Sequence, residues 1–325
     1  MRIAIVVCAY TVIRWDDIVA GVGEARRQLA ESGHPGEIVL VVDHSPELYE
    51  KAQGFFVGDD MRLLENSRTR GLSGARNTGI TSTDADVIVF LDDDAVPEPG
   101  WLAGLLAPFD DESVIITGGA AIPRWPEGGR PSMLPAADGD RGEFDWVVGC
   151  TYAGQPITLS SVRNVMGCSM AFRAGVFATA GLFGEDMGRV GTIPYGCEET
   201  ELCIRAAAAP GSRILFEPAS TVRHRVTPQR TTWSYLWHRC YAEGISKASV
   251  VARTTRRAGL STETTYTTHV LPRGVLRELS SVRRRGLKGA AGAAAIVTGL
   301  LVTMVGYVVG RLAIRRADGT RGDSR

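Results

Sequence analysis

The chain has 325 residues, 44% of them apolar, and carries 36 Lys and Arg against 36 Asp and Glu, so its formal charge is zero. This length and apolar share predict a substantial core in one large domain or two, and exclude a chain too polar to fold. The neutrality hides an asymmetry: residues 1–250 hold 22 basic and 32 acidic side chains, whereas residues 251–325 hold 14 and 4.

Met1-Arg2 leads straight into a strand-like run, Ile3–Cys8, without the pattern of a signal peptide. From Asp16 to Glu31 the apolar residues Ile18, Val22, Ala25 and Leu29 recur at helical spacing. Ile38–Val42 reads as a second buried strand and Met61–Leu64 as a weaker third. Ser73–Ile80 is a helix entered through Gly71-Leu72, and Val87–Leu91 is the fourth strand. This alternation predicts an α/β domain with a mostly parallel central sheet and helices on both faces. Ligands of such sheets bind beyond the carboxyl ends of the strands. Tyr10, Asp43 and the triplet Asp92-Asp93-Asp94 all fall at such ends, so they should meet in one crevice.

The triplet is the most informative stretch. Three carboxylates behind a buried strand are costly unless a cation neutralises them. A hard divalent ion with oxygen ligands would do so and could clamp a phosphate-bearing substrate. A solvated acidic turn that caps the next helix is the competing reading.

Further on, Val114–Gly118 is a strand. Residues 123–156 are rich in Gly, Pro and Asp and read as long loops, in which Trp125, Trp146 and Tyr152 are either binding platforms or anchors. Asn164–Arg173 and Ser212–Phe216 are later strands. Between them, Glu198-Glu199-Thr200-Glu201 opens a helix whose N-terminal dipole favours carboxylates, with Glu201 and Arg205 spaced to pair. His224 follows the strand-like Ser220-Thr221-Val222, and its neighbours Arg223 and Arg225 favour an anionic setting.

Trp233–Arg257 is helical, with Arg239, Glu243 and Lys247 on a solvated, ion-paired face; residues 260–285 read as a polar, basic connector. Trp233, Tyr235 and Trp237 form an aromatic cluster that binds a sugar face or pins the helix. The uncharged stretch Gly289–Gly310, flanked by Arg283-Arg284-Arg285, Lys288, Arg311, Arg315 and Arg316, is long enough to cross a bilayer as one helix. Its flanks suit a membrane better than nucleic acid. Gly306 and Gly310 match a small-xxx-small contact, a weak signal in so glycine-rich a segment. The six cysteines show no paired or zinc-type spacing. Cys8 and Cys168 read as small core residues, and the body of the chain as cytosolic and reduced.

Taken in order, these motifs resemble the family 2 glycosyltransferases of GT-A fold, over about residues 1–225. The residues that carry the resemblance are Val6-Val7-Cys8-Ala9-Tyr10, Val41-Val42-Asp43, Gly74-Ala75-Arg76-Asn77-Thr78-Gly79-Ile80, the triplet, Asn164 to Arg173, and Glu198 to Arg205. The resemblance implies an inverting, metal-dependent enzyme that moves a hexosyl or deoxyhexosyl group from a nucleotide-diphospho-sugar to a glycan or lipid-linked acceptor, at the cytoplasmic face of a membrane.

It also implies roles. Asp43 would bind the nucleobase, which favours UDP- or dTDP-sugars, with Tyr10 lining that pocket. Asp92, Asp93 and Arg76 would lie on the donor side, and Arg76 fits a structural post as well. Asp94 and His224 would hold Mn²⁺ or Mg²⁺. Glu199 would be the catalytic base with Glu198 the alternative, since Glu stands where the family has Asp. Outside the stretch that carries the resemblance, Trp233 of the aromatic cluster is the acceptor-site candidate. A catalytic domain over 1–225, a helical extension over 226–285 and a membrane segment over 286–325 follow. Sugar-nucleotide pyrophosphorylases, the alternative enzymes, resemble one another in a glycine-rich loop after the first strand; Ala9-Tyr10-Thr11-Val12-Ile13 has no glycine. A non-catalytic, membrane-bound sugar-binding protein is the other alternative.

Overall fold

The computed structural model describes residues 1–56, 58–137, 141–189, 195–255, 259–260 and 263–322, with the backbone alone beyond residue 316. The chain divides into two units, one of residues 1–124, 156–193 and 198–225, the other of 125–155, 194–197 and 226–325.

The first unit is built on a nine-stranded sheet. Strand β1 (Ile3–Ala9) is buried along its whole length. It lies between β2 (Gly36–Val42) and β4 (Val87–Asp92), parallel to both, and β3 (Met61–Glu65) extends the parallel run at the edge. Continuous apolar runs are what strands covered on both faces require. The helices between them are α1 (Trp15–Glu31), α2 (Pro46–Gln53) and α3 (Leu72–Thr81). Strand β5 (Ala95–Pro97) follows the triplet directly, and α4 (Trp101–Leu106) comes next.

Beyond β4 the sheet becomes mixed. Strand β8 (Ser169–Arg173) is antiparallel to β4 and to β6 (Val114–Arg124). Strand β9 (Arg213–Arg225) is parallel to β6 and antiparallel to β5 and to the short β7 (Ser160–Ser161). Helices α5 (Gly175–Thr179) and α6 (Glu198–Ala206) complete the unit. The core is apolar and aromatic: Phe90 meets Phe172 and Phe183 edge-on, with centroids 5.8 and 5.6 Å apart.

Two boundaries differ from the sequence reading for local reasons. The strand expected from Asn164 starts only at Ser169, because the Gly167 carbonyl accepts from the Arg76 guanidinium at 2.9 Å instead of joining the ladder. The two strand pieces expected at 212–216 and 220–222 are one strand, β9, with a break in register between Glu217 and Thr221. Pro218 lies in that break, where a residue without an N–H is tolerated.

The second unit is mostly helical. Helix α7 spans Trp233–Arg253, capped by the Thr232 hydroxyl, which accepts from the Tyr235 N–H; residues 256–257 of the expected helix lie outside the described residues. The polar connector expected over 260–285 is instead helical where described: Glu263–Thr265, a π turn Tyr266–Val270, then α8 (Leu271–Arg285). Part of its polarity is internal. Arg277 grips Glu143 with both terminal nitrogens, at 2.6 and 3.0 Å, and with Arg285 it also holds Glu278, which is fully buried. Helix α9 (Leu287–Gly322) carries the apolar stretch.

The residues of 125–155 are anchored by aromatic side chains. Trp146 donates to the Tyr266 hydroxyl at 3.0 Å, the rings of Tyr152 and Tyr266 meet edge-on at 5.5 Å, and Arg130 covers Trp125 at 4.7 Å.

The charged face expected on α7 is not solvated. Glu243 accepts from Arg239 at 2.8 Å and lies 3.2 Å from Lys247, which also bonds Glu263 at 2.6 Å. Burial raises the Glu243 carboxyl, but Lys247 and Arg239 outweigh it and bring it down to about 2. A carboxyl lowered from 4.5 stabilises the fold fully above pH 4.5 and loses that contribution as pH falls towards 2. Glu243→Gln should therefore lower stability at pH 7 by about 3 kcal/mol, since it removes the carboxylate that pairs with the buried Arg239, while Lys247 keeps Glu263. The difference from the unsubstituted protein should shrink steadily below pH 4.5, as read by thermal unfolding across pH.

Candidate active site

Register brings the predicted residues together. Ala9 of β1 pairs with Val42 of β2, and Cys8 pairs with Asp92, so Tyr10, Asp43 and the triplet leave the sheet at one edge. The triplet is not a solvated turn: Asp93 and Asp94 are 4% and 2% exposed, and a strand follows it, not a helix.

His224 is delivered by pairing. Ala95 of β5 lies opposite His224 of β9, and the Arg225 N–H donates to the Asp94 carbonyl at 2.8 Å. The imidazole Nε2 consequently sits 3.1 Å from Asp94 Oδ1. The flanking arginines, expected to make the setting anionic, point away. Side chains alternate along a strand, and Arg223 pairs with Glu98 while Arg225 pairs with Asp17 at 2.7 Å.

Asp92, Asp94 and His224 each offer one ligand atom, all within 4.8 Å of one another. Two carboxylates and an imidazole form a donor set for a divalent cation. The His224 ring is buried, and its Nδ1 has no partner among the described residues. A half-satisfied buried imidazole beside two carboxylates fits a metal site better than a structural one.

Two guanidinium groups bracket the cluster. Arg14, in the turn after β1, bonds Asp93 Oδ1 and lies 3.0 Å from Asp94 Oδ2. Burial works against its charge, yet the Asp93 and Asp94 carboxylates raise its pKa further. Burial pushes the Asp93 carboxyl up to about 7 even with Arg14 beside it. The sequence reading missed Arg14; the only signal was a basic residue a few positions beyond the first strand end.

Arg76, on α3, is 2% exposed. It donates to Glu198 Oε1 at 2.9 Å and to the Gly167 carbonyl at 2.9 Å, and lies 3.4 Å from Asp92 Oδ1. Its guanidinium also packs on the rings of Phe183 and Phe90, at 5.4 and 5.9 Å. Burial opposes its charge, but Glu198 and Asp92 keep it protonated. Among the described residues, Arg76 bonds Glu198 and the Gly167 carbonyl, and Asp93 bonds Arg14, which suits the structural post already weighed for Arg76.

Helix α6 starts after Cys197, a non-glycine residue with φ of 70°. The first two residues of the helix, adjacent in sequence, differ in setting. Glu198 is buried and spends Oε1 on Arg76, whereas Glu199 is only partly buried. Glu201 takes a two-pronged bond from Arg205 at 2.7 and 2.8 Å.

Asp43 is also engaged. Its Oδ1 accepts from the Asn66 side chain at 2.7 Å and lies 2.9 Å from His44 Nδ1; its Oδ2 accepts from the Gly71 N–H at 3.0 Å. Tyr10 is half-buried with the Arg14 guanidinium 5.1 Å from its ring centre. Trp233 belongs to the helical unit, half-buried and tilted against Trp237 with centroids 5.7 Å apart.

The family description "Glycosyl transferase family 2" matches residues 4–180. A glucosyl-dolichyl phosphate glucuronosyltransferase of Haloferax volcanii is 30% identical over 249 residues, 76% of this chain and 76% of that protein. A pre-mycofactocin glycosyltransferase of Mycobacterium tuberculosis is 26% identical over 202 residues, which is 60% of this chain but only 39% of the relative. Among solved structures, the mannosyltransferase PcManGT from Pyrobaculum calidifontis, in complex with GDP-Man and Mn²⁺, superposes with a TM-score of 0.56 at 15% identity, over 95% of this chain and 86% of that one. That likeness is one of fold.

Removing Arg14 tests whether it and a metal share the work of neutralising the triplet. Arg14→Met should lower stability in EDTA by about 3 kcal/mol, the cost of stranding buried carboxylates. Added Mn²⁺ should then raise the melting temperature of the variant by more than that of the unsubstituted protein. Equal gains in thermal unfolding would separate Arg14 from the metal site.

Proposed function

The chain belongs to glycosyltransferase family 2, and from that premise we propose an inverting transferase that uses a nucleotide-diphospho-sugar and a divalent cation to glycosylate a lipid-linked or glycan acceptor. One observation carries the proposal: Arg76 bonds Glu198 and contacts Asp92, which ties the start of α6, and with it Glu199, to the carboxylate triplet. Metal ligands and base then share one rigid frame.

Asp92, Asp94 and His224 would hold the cation, Mn²⁺ or Mg²⁺. When bound, it supplies charge stabilisation for the departing diphosphate. Arg14 holds Asp94 by Oδ2, leaving Oδ1 turned towards His224. Asp43 would accept from the nucleobase imide with the lone pair that Gly71 does not use, and Tyr10 would line that pocket; this favours uracil or thymine. Asp93 and Arg76 would serve the donor site from behind, by fixing the turn and the Asp92 carboxylate.

Glu199 would take the proton from the acceptor hydroxyl as its oxygen attacks the anomeric carbon. A single displacement from the face opposite the leaving group inverts that centre. Glu198 is the poorer base because its Oε1 is committed to Arg76. Trp233 would offer a ring to the acceptor sugar. The dolichyl phosphate in the name of the Haloferax relative, together with a long apolar helix, supports a lipid-linked acceptor met at a membrane, on the side we take to be cytoplasmic.

A panel of UDP-, dTDP- and GDP-sugars, assayed for metal-dependent release of nucleoside diphosphate, tests the reading. Glu199→Gln should cut kcat by about 10²- to 10⁴-fold, the usual share of a general base, while donor and metal binding persist. Asp94→Ala should abolish the metal requirement together with turnover. Should Glu198→Gln alone lose the rate, the base assignment moves to Glu198. Donor binding without turnover by the unsubstituted protein would instead favour a sugar-binding role.

A further inference from the structure

We propose that α9 lies in the plane of an anionic membrane surface and does not cross it, with one face seated on its own unit and the opposite face on lipid. Between its basic ends α9 is apolar, and by length and composition alone it suits a spanning helix. Its two faces are nevertheless used differently.

One face is made of small residues pressed against protein. A side chain on Gly299 would strike the Phe144 ring, one on Gly306 the Tyr241 backbone, and one on Gly310 Ala248 and Ile245. In return, a side chain on Gly244 of α7 would strike the backbone at Thr303 and Tyr307. Trp237 donates to Thr298 at 3.4 Å. From Trp237 and Thr298 to Ala248 and Gly310 the contacts advance together along both helices, so α7 runs parallel to α9 over most of the apolar stretch. Gly306 and Gly310, a weak signal in the sequence, are therefore the seat of a real helix–helix contact.

The opposite face is bare. Val297, Leu301, Met304, Val305, Val308 and Leu312 are 45–55% exposed and recur at steps of three and four, a continuous apolar stripe. Trp237 and Tyr241 of α7, 44% and 36% exposed, supply the amphipathic rings favoured at a headgroup boundary. Basic side chains stand at both ends of the stripe: Arg283, Arg284 and Lys288 before it, Arg315 after it, all exposed. This charge pattern commits the surface to anionic lipid.

Crossing is disfavoured by what is packed against α9. Glu278, held by Arg277 and Arg285, lies where a Gly292 side chain would reach its carboxylate. The Arg239–Glu243–Lys247 cluster belongs to the same α7 turns that touch Thr303–Gly310. A spanning α9 would carry these charges into hydrocarbon. A helix lying in the interface keeps them on its protein side, and the stripe alone enters the lipid.

The proposal rests on the helical unit and not on the transferase reading, and its test needs no sugar donor. The six native cysteines are all buried, so single cysteines placed at Val297, Leu301, Val308 and Leu312 can carry an environment-sensitive probe. On vesicles of phosphatidylcholine with phosphatidylglycerol, depth-dependent quenching should put all four probes at one shallow depth. Binding of the full chain should rise at least tenfold over pure phosphatidylcholine, and Leu301→Glu with Val308→Glu should lose at least tenfold. Leu301 and Val308 at the bilayer centre, with the end positions near opposite surfaces, would overturn the proposal in favour of a spanning helix. Absence of vesicle binding, with a dimer that the same double substitution dissociates, would overturn it in favour of a second copy.

Discussion

Everything at the site depends on how the charge of Asp92, Asp93 and Asp94 is balanced. Three adjacent carboxylates, two of them almost wholly buried, would not stay ionised in an apolar setting. Arg14 meets the cluster through Asp93 and Asp94, and Arg76 through Asp92. The two cations differ in what else they hold. Arg14 sits in the turn after β1 and joins it to the triplet alone. Arg76 comes from within a helix and also binds Glu198 and the Gly167 carbonyl. Three segments far apart in sequence are therefore fixed to one guanidinium, whose planar fork of donors suits that task as a lysine would not.

This arrangement explains the run Gly74 to Ile80 in physical terms. A side chain on Gly74 would strike the Thr69 carbonyl, and one on Gly79 would strike Val6, so α3 approaches both the loop before it and β1 only through glycine. Asn77 exchanges bonds with the Phe183 backbone, donating to its carbonyl at 2.9 Å and accepting from its N–H at 3.0 Å. Thr78 donates to Asn66, which in turn donates to Asp43. The motif is thus a bracket that orients Asp43 and Asp92, and its residues need not touch a ligand to matter.

Much of this was legible in the sequence because buried parallel strands leave an unambiguous trace. The runs at 3–8, 38–42 and 87–91 could be placed without knowing their partners, and the strand ends then located Tyr10, Asp43 and the triplet. Long-range ion pairs leave no such trace. Nothing in the spacing of Arg14 and Asp93 distinguishes a buried pair from two surface charges. The same gap explains why residues 260–285 read as a polar connector: Arg277, Glu278 and Arg285 look solvated until Glu143 and the glycines of α9 are set against them.

The choice of His224 as a site residue shows how far register governs chemistry. Its neighbours Arg223 and Arg225 are one step away along β9, and a shift of a single residue would turn one of them towards Asp94. Two features hold the register. The interruption between Glu217 and Thr221 takes up the slack where β6 continues from Gly119 to Ala120. The three-residue β5 then pairs Ala95 with His224, while Glu98 and Asp17 engage the two arginines on the other face. The outward ion pairs therefore act on the site indirectly. By giving Arg223 and Arg225 partners away from the cluster, they disfavour the slipped register in which a third cation would stand where the imidazole now faces Asp94.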